Sequence, residues 1–251
     1  MAFKIPLQCG AIDVETMGVE TDAVILSISG AFFNVLTLKP VSCMNVNIKS
    51  DDPEQARRSI SEQTMKWWEE AGQPGKPSIL ARQIAFSGNM SLSKALGVMK
   101  AFLDGLPKVR GTYTIAMKGP DFDYPILKSA ISDVADRENK LKYTKLWGGD
   151  LDSSRTIERM CDMMDIPPIG KTEFRLNCVR SGPSDEHISS VDAAMEAYVA
   201  ARTYHLGYLI MTKGRDYALE QVKRWENAED VIPLEYEYNE EDYKKVWSPL
   251  Y

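Results

Sequence analysis

Apolar positions in the N-terminal part of the chain follow patterns that are typical of β-strands. Residues 10–15 (GAIDVE) predict a first strand, and residues 23–34 (AVILSISGAFFN) predict a second strand that is rich in β-branched and aromatic side chains. Residues 35–48 alternate apolar and polar side chains and predict a third strand, in which Pro40 indicates a bend or a sheet edge. Gly30 indicates a β-bulge in the second strand. Because little chain separates these strands, they predict an antiparallel meander.

After residue 50, apolar side chains recur mostly at spacings of three and four residues, which is typical of helices. This pattern predicts a helix start at residues 51–54, helices over residues 60–71, 91–106, 122–135, 153–164 and 189–210, a strand over residues 112–117, and a loop from about 165 to 186. Strands that precede an alternation of helices with strands predict an α/β domain with a mixed central sheet. We place this domain at residues 1–213 and a helical, acidic C-terminal extension at residues 214–251.

Composition narrows the class of protein. Of the 251 residues, 44% are hydrophobic and 26% are charged, as in a folded globular chain. No apolar run reaches the roughly 18 residues of a membrane helix. The four cysteines are widely spaced without a C-x-x-C pair, which indicates reduced thiols in a cytoplasm. A net charge of −6 argues against binding nucleic acid by bulk positive charge, although bound cations still allow an enzyme to meet phosphates.

Asp13 and Glu15 are the first candidates for chemistry. Side chains two residues apart in a strand point to the same face, so these two carboxylates lie side by side after the apolar Ala11 and Ile12. Like charges at a buried strand raise the free energy of the fold, and a divalent cation removes that repulsion. A solvated strand end is the alternative for this pair taken alone.

A second pair lies late in the chain. Asp192 has apolar neighbours at helical offsets, so its carboxylate lies on an apolar face of the predicted helix and needs a partner. His187 precedes it by five positions, and the two side chains converge only if His187 lies in the loop entering the helix. His187 is then a candidate base, with a helix cap or a surface group as the alternative. The other histidine, His205, is interpreted as structural or surface.

The sequence Gly119-Pro120-Asp121-Phe122-Asp123 joins the strand over residues 112–117 to the following helix. Open α/β sheets place their sites at the carboxyl ends of strands, so either carboxylate is a candidate ligand. Capping of the helix by Asp121 or Asp123 is the alternative explanation.

Together these motifs resemble the DEDD exonuclease superfamily in its histidine-containing (DEDDh) branch. The order D-V-E-T, G-x-x-F-D and H-x-x-x-x-D carries the resemblance, which is closest to the phage exonuclease A and ribonuclease-T-like 3′–5′ exonucleases. Residues 13–28 match the first motif of that group almost continuously, and the resemblance spans about residues 8–210. Further matches are the tryptophan pair in Thr64-Met65-Lys66-Trp67-Trp68 and the dipeptide Arg155-Thr156.

This resemblance implies a ribonuclease-H-like fold and phosphodiester hydrolysis by a two-metal mechanism. His187 would activate the attacking water, and Asp123 rather than Asp121 takes the family position after Phe122. Two Mg²⁺ ions, for which Mn²⁺ can substitute, would be held by four carboxylates: Asp13, Glu15, Asp123 and Asp192.

The substrate that the resemblance implies is the 3′ end of single-stranded nucleic acid, from which nucleoside 5′-monophosphates are released. Thr16 and Met17 are expected to contact the terminal nucleotide. Phe122 is a candidate for stacking on a base, with packing in the core as the alternative. We expect Trp67 and Trp68 to be packing residues. DNA is the first choice of substrate. The alternatives are an exoribonuclease of the same family and a non-catalytic nucleic-acid-binding protein on this fold. We expect the protein in the cytoplasm, which is the host cytoplasm if the chain is phage-encoded.

Overall fold

A computed structural model describes residues 4–106, 112–117, 119, 121–134, 151–169, 173, 187–227 and 229–236, and every structural statement below concerns these residues. The strands are β1 (Gln8–Thr16), β2 (Ile25–Asn34), β3 (Pro40–Asn47), β4 (Tyr113–Met117) and β5 (Leu151–Ser153). The α-helices are α1 (Glu62–Glu69), α2 (Ile79–Ala85), α3 (Leu92–Asp104), α4 (Asp123–Val134), α5 (Ser154–Met163), α6 (Ser189–Lys213) and α7 (Arg215–Glu226), and a 3₁₀ helix covers Pro53–Gln55. None of the helices described here has the length and apolar character needed to cross a bilayer.

The strands form one mixed sheet in the order β3-β2-β1-β4-β5. β2 is antiparallel to both of its neighbours, which confirms the predicted meander, whereas β4 and β5 run parallel to β1. Pro40 begins β3 at the sheet edge, where its missing N–H removes no ladder hydrogen bond. This mixed sheet with flanking helices confirms the predicted α/β class with a mixed central sheet.

The predicted bulge at Gly30 is wrong. Gly30 pairs in register with Ile12 on one side and Met44 on the other, and the shifts in strand register fall at Glu15/Thr16 and Phe32/Phe33 instead. The glycine has a packing reason, because a Cβ at this position would lie 2.7 Å from the ring of Phe102 on α3. The sequence pattern also missed two short elements, α2 and β5.

Alternating side chains of β1 divide the core into two layers. Ile12 and Val14 belong to the cluster that packs against α3 and α4, whereas Cys9 and Ala11 belong to the cluster that packs against α6. Because residues two apart in a strand share a face, Asp13 and Glu15 lie on the same face as Ala11, which is the α6 side of the sheet. The carboxylates of β1 therefore lie under the helix that carries Asp192.

The described part of the C-terminal extension packs onto α6. Ala218, Val222 and Trp225 of α7 join the α6 cluster, and the N–H of Leu234 donates to the carbonyl of Leu36 at 3.0 Å. Gly214, at a φ of 90°, separates α6 from α7. The domain boundary at residue 213 stays a prediction, and residues 237–251 of the acidic segment lie outside the described residues.

Candidate active site

Serines opposite the two β1 carboxylates attach the start of α6 to the sheet. Asp13 pairs across the strands with Ser29, and Glu15 pairs with Ser27. The hydroxyls of Ser27 and Ser29 lie 2.9 and 2.7 Å from the hydroxyl of Ser189. All three serines are buried, so these hydrogen bonds are shielded from water. The first turn of α6 is thereby held directly beside the two carboxylates.

His187 lies in the loop that enters α6, as its convergence with Asp192 requires. Its backbone N–H donates to Oδ2 of Asp192 at 2.9 Å, and its φ of 65° turns the chain sharply before the helix. One ligand atom from each of Glu15, His187 and Asp192 lies within 4.8 Å of the other two. The structure therefore brings together residues from β1 and from the start of α6 at a spacing that suits a shared cation.

Asp13 lies among the other acidic side chains of the site, and its Oδ2 atom is buried. Burial raises the pKa of Asp13 well above its usual value, and the charges of Glu15, Asp123 and Asp192 raise it further. Within the described part of the chain, Oδ2 of Asp13 is buried and accepts no hydrogen bond. Glu196, one helical turn after Asp192, is buried and adds to the same negative potential. The neighbouring carboxylates therefore make ionisation of Asp13 less favourable.

Asp123 completes the cluster from the other side of β1. The parallel pairing of Ala11 with Ala116 brings the end of β4 beside β1, and α4 begins just after it. The carboxylate is buried and accepts hydrogen bonds from the backbone of Val14 and Gly119. Burial nevertheless raises the pKa of Asp123 to about 7. Asp121 is exposed, so of the two candidates only Asp123 is enclosed with Asp13.

A cleft of about 650 Å³ adjoins the cluster and is lined in part by Glu15, Thr16, Val19, Trp67 and Phe122. Thr16 forms part of its wall, with its hydroxyl donating to the carbonyl of Gly18 at 2.6 Å. The side chain of Val19 is 64% exposed and presents apolar surface at the cleft. A cleft of this size is sufficient for one nucleotide.

Met17 and the tryptophan pair take different positions around this cleft. Met17 is buried in one cluster with Val24 and Trp68, so its side chain supports the cleft from behind. Trp68 is 1% exposed, which confirms its predicted packing role. Trp67 is half-buried and lines the cleft. Trp67 therefore has a surface open to the cleft, unlike the packing residue that we expected.

Several site residues escaped the sequence analysis. The contacts of Ser27 and Ser29 with Ser189 depend on strand register. The position of Val19 depends on the loop after β1, and that of Glu196 depends on which face of α6 it occupies. One signal was present, since S-I-S in β2 places two hydroxyls on one face of an otherwise apolar strand. Glu196, four residues after Asp192, shares its helix face for the same geometric reason.

The donor set suits a hard divalent cation. Carboxylate oxygens are the ligands that a hard divalent cation prefers. The buried Oδ2 of Asp13, which lacks a hydrogen bond from the described residues, is an oxygen that a cation would satisfy. The geometry thus identifies a candidate metal site formed by acidic residues, with a histidine beside it.

Comparison with protein families yields one match. The family model of the 3′–5′ exoribonuclease Rv2179c-like domain matches residues 10–204. No curated protein matches the chain.

Several solved structures match the chain at low sequence identity. Cell-death related nuclease 4 (CRN-4) is 13% identical with a TM-score of 0.45, over 80% of this chain and 65% of its own. The nuclease domain of 3′hExo, a DEDDh family member bound to rAMP, is 11% identical with a TM-score of 0.46, over 86% of this chain and 96% of its own. Exonuclease I from Methylocaldum szegediense is 11% identical with a TM-score of 0.48. The match covers 85% of this chain and 43% of that exonuclease.

Proposed function

The chain belongs to the Rv2179c-like 3′–5′ exoribonuclease family, and from this premise we propose that it removes nucleotides one at a time from the 3′ end of single-stranded nucleic acid by metal-dependent hydrolysis. The products are nucleoside 5′-monophosphates. The observation that carries the proposal is the convergence of Glu15, His187 and Asp192 within 4.8 Å beside Asp13, whose Oδ2 atom is buried.

Four carboxylates are proposed to hold two Mg²⁺ ions, for which Mn²⁺ substitutes: Asp13, Glu15, Asp123 and Asp192. Their support is the pKa of Asp13, which burial and then the charges of Glu15, Asp123 and Asp192 raise in the absence of a cation. When bound, such ions supply the positive charge that this chain lacks and stabilise the oxygens of a phosphodiester under attack. Glu196 adds a further negative charge at the same place.

His187 is proposed to accept a proton from the attacking water. The water oxygen bonds to the terminal phosphorus, the bond between that phosphorus and the preceding 3′ oxygen breaks, and the shortened strand retains a 3′ hydroxyl. Imidazole is the side chain that most often serves as a general base near neutral pH. The hydrogen bond from the His187 backbone to Asp192 keeps the proposed base beside the carboxylates.

The cleft beside Glu15 is proposed to receive the 3′-terminal nucleotide. Thr16 contributes to its wall, Met17 supports that wall through its buried side chain, and Phe122 and Val19 present apolar surface to the base. Contacts of this kind tolerate any base sequence, because every base has an apolar face.

RNA is the substrate that we propose first, because the matching family is described as an exoribonuclease domain. Single-stranded DNA is the second candidate, favoured by the resemblance of residues 13–28 to the phage exonuclease A group. A non-catalytic binding protein is disfavoured, because all four carboxylates and the histidine are present.

The test compares 5′-labelled RNA and DNA of one sequence, each incubated with Mg²⁺, Mn²⁺ or a chelator. We expect products that shorten stepwise from the 3′ end, with release of nucleoside 5′-monophosphates. In chelator, no shortening should occur. The ratio of the two rates decides between RNA and DNA. A ladder that grows from internal cuts, or degradation that persists in chelator, would refute the proposed reaction.

A matched pair of variants tests the metal cluster. Asp123→Asn removes a buried carboxylate, and Asp121→Asn removes an exposed one two residues earlier. We expect Asp123→Asn to lower kcat at least about a hundredfold and Asp121→Asn to keep it within about threefold. Equal losses in both variants would contradict the assignment of Asp123.

A further inference from the structure

The indole of Trp67 lies against the imidazole of His187. Their ring centroids are 4.8 Å apart and their planes meet at 88°, which is an edge-to-face contact. We propose that Trp67 is a positioning residue that holds the His187 ring toward Glu15 and Asp192, an inference that rests on the proposed function of His187. The contact joins α1 to the loop before α6, two parts of the chain that are distant in sequence.

Trp67 is itself held by a chain of rings that leads into the core. Its ring centroid is 4.9 Å from that of Trp68, and Trp68 contacts Phe86 at 5.7 Å. The indole N–H of Trp68 donates to the carbonyl of Thr16 at 3.0 Å, which ties α1 to the end of β1. A buried and hydrogen-bonded Trp68 gives Trp67 a fixed support, so its indole can restrain a neighbouring ring.

His187 has few other restraints within the described part of the chain. Its hydrogen bond to Asp192 uses the backbone N–H, and this bond leaves the two side-chain torsions free. No hydrogen bond joins its imidazole to the residues described. A general base must come within about 2.6–3.2 Å of the atom whose proton it takes, so a freely rotating imidazole spends much of its time out of reach. The edge-to-face contact with Trp67 removes part of this freedom.

Trp67 also lines the cleft, and stacking on the terminal base is the competing role. The two roles predict different kinetics. A positioning residue changes kcat, and its effect disappears once His187 is absent. A residue that stacks on the base changes KM, and its effect remains without His187.

The kinetic experiment uses the full-length chain with Trp67→Ala, Trp67→Leu, Trp67→Phe, His187→Ala and the double variant of Trp67→Ala with His187→Ala. We expect Trp67→Ala and Trp67→Leu to lower kcat about tenfold with KM changed less than about threefold, and Trp67→Phe to restore kcat to within about threefold. In the His187→Ala background, Trp67→Ala should change kcat less than about twofold. A full further loss there, or a change mainly in KM, would overturn the inference.

A spectroscopic experiment tests the contact without activity. The chain has two histidines, so the ring signals of His187 are assigned by comparison with His187→Ala. Removing the indole in Trp67→Ala should move the His187 ring signals and leave those of His205 in place. Trp225→Phe is the matched control, because Trp225 contacts the ring of His205 at 5.5 Å, and it should do the reverse.

These outcomes separate the two proposals. Unmoved His187 signals in a folded Trp67→Ala protein would overturn the positioning role whatever the activity. Moved signals in a protein whose wild type degrades neither RNA nor DNA would refute the proposed function and leave the ring contact standing. Should Trp67→Ala not fold, the comparison of Trp67→Leu with Trp67→Phe carries the same test.

Discussion

The two histidines of the chain both make edge-to-face contact with a tryptophan, and yet their surroundings differ in charge and in exposure. His187 contacts Trp67 at 4.8 Å and faces Glu15 and Asp192 from a half-buried position. His205 contacts Trp225 at 5.5 Å, where α7 packs on α6, and is fully buried. A ring contact by itself therefore does not identify a site. The neighbouring carboxylates and the access of solvent distinguish the two pairs.

Burial gives His205 a structural role. Burial lowers the pKa of His205 to about 4. The hydrogen bond that Nδ1 donates to the carbonyl of Val35 at 2.7 Å raises this pKa, but its effect is smaller. Neither Nε2 of His205 nor the indole N–H of Trp225 has a hydrogen-bond partner within the described residues. A neutral imidazole without contact to the acidic cluster has no part in the proposed proton transfer near pH 7.

The largest expected difference between the two pairs lies in turnover. His187→Ala should lower kcat about 10²–10⁴-fold, because it removes the proposed base, and should leave the Tm nearly unchanged. His205→Ala should leave kcat unchanged below its melting temperature and lower the unfolding free energy by about 2–4 kcal/mol, because it leaves a cavity. Single-turnover kinetics and thermal denaturation measure both quantities. A folded His205→Ala protein with a large loss of kcat would break the comparison.

Metal binding should also act on only one of the two regions. Mn²⁺ at about a hundredfold above its dissociation constant should stabilise the folded chain by about 2.7 kcal/mol, because the unfolded chain lacks the assembled cluster. As a paramagnetic ion it should broaden the NMR signals of His187 and spare those of His205. Asp13→Asn should abolish both effects, whereas Asp104→Asn, an exposed carboxylate of α3, should keep them. Broadening of His205 would place the ion elsewhere.

The two regions should respond to pH with opposite sign in chelator. The folded-state pKa of Asp123 is raised to about 7, so its stabilisation is complete below its unfolded pKa near 4 and is lost as pH rises through 7. The folded-state pKa of His205 is lowered to about 4, so its stabilisation is present above pH 6.5 and is lost as pH falls toward 4.

Between pH 6 and 8, each of these two groups should change the unfolding free energy by about 1 kcal/mol, in opposite directions. Urea denaturation at the two pH values checks this. Asp123→Asn should reduce the loss of stability with rising pH, to which the raised pKa of Asp13 also contributes, and should leave the gain that comes from His205. If Asp123→Asn leaves the pH dependence unaltered, the carboxylate is not enclosed as the structure has it.

Strong periodicity accounts for the parts of the molecule that the sequence predicted well. The β1–β3 meander and α6 have long apolar patterns, and the ordered motifs around Asp13, Asp123 and Asp192 predicted residues that the fold brings together. Short elements carry too few positions for a period, so α2, with seven residues, and β5, with three, were missed. The contacts of Ser189 with the sheet and of Trp67 with His187 depend on tertiary register, which no local pattern encodes.

The smallest expected effect comes from Trp225→Phe, the counterpart of Trp67→Phe in the buried pair. It keeps an aromatic ring against His205 and removes an indole N–H that has no hydrogen-bond partner among the described residues, so the loss of packing and the relief of a buried donor offset each other. The unfolding free energy should change by less than about 1.5 kcal/mol, and kcat should be unaltered. Calorimetry and the RNA ladder measure the two. A fall in kcat with Trp225→Phe would mean that α7 acts on the cluster through α6, and the separation between a structural and a functional histidine would no longer hold.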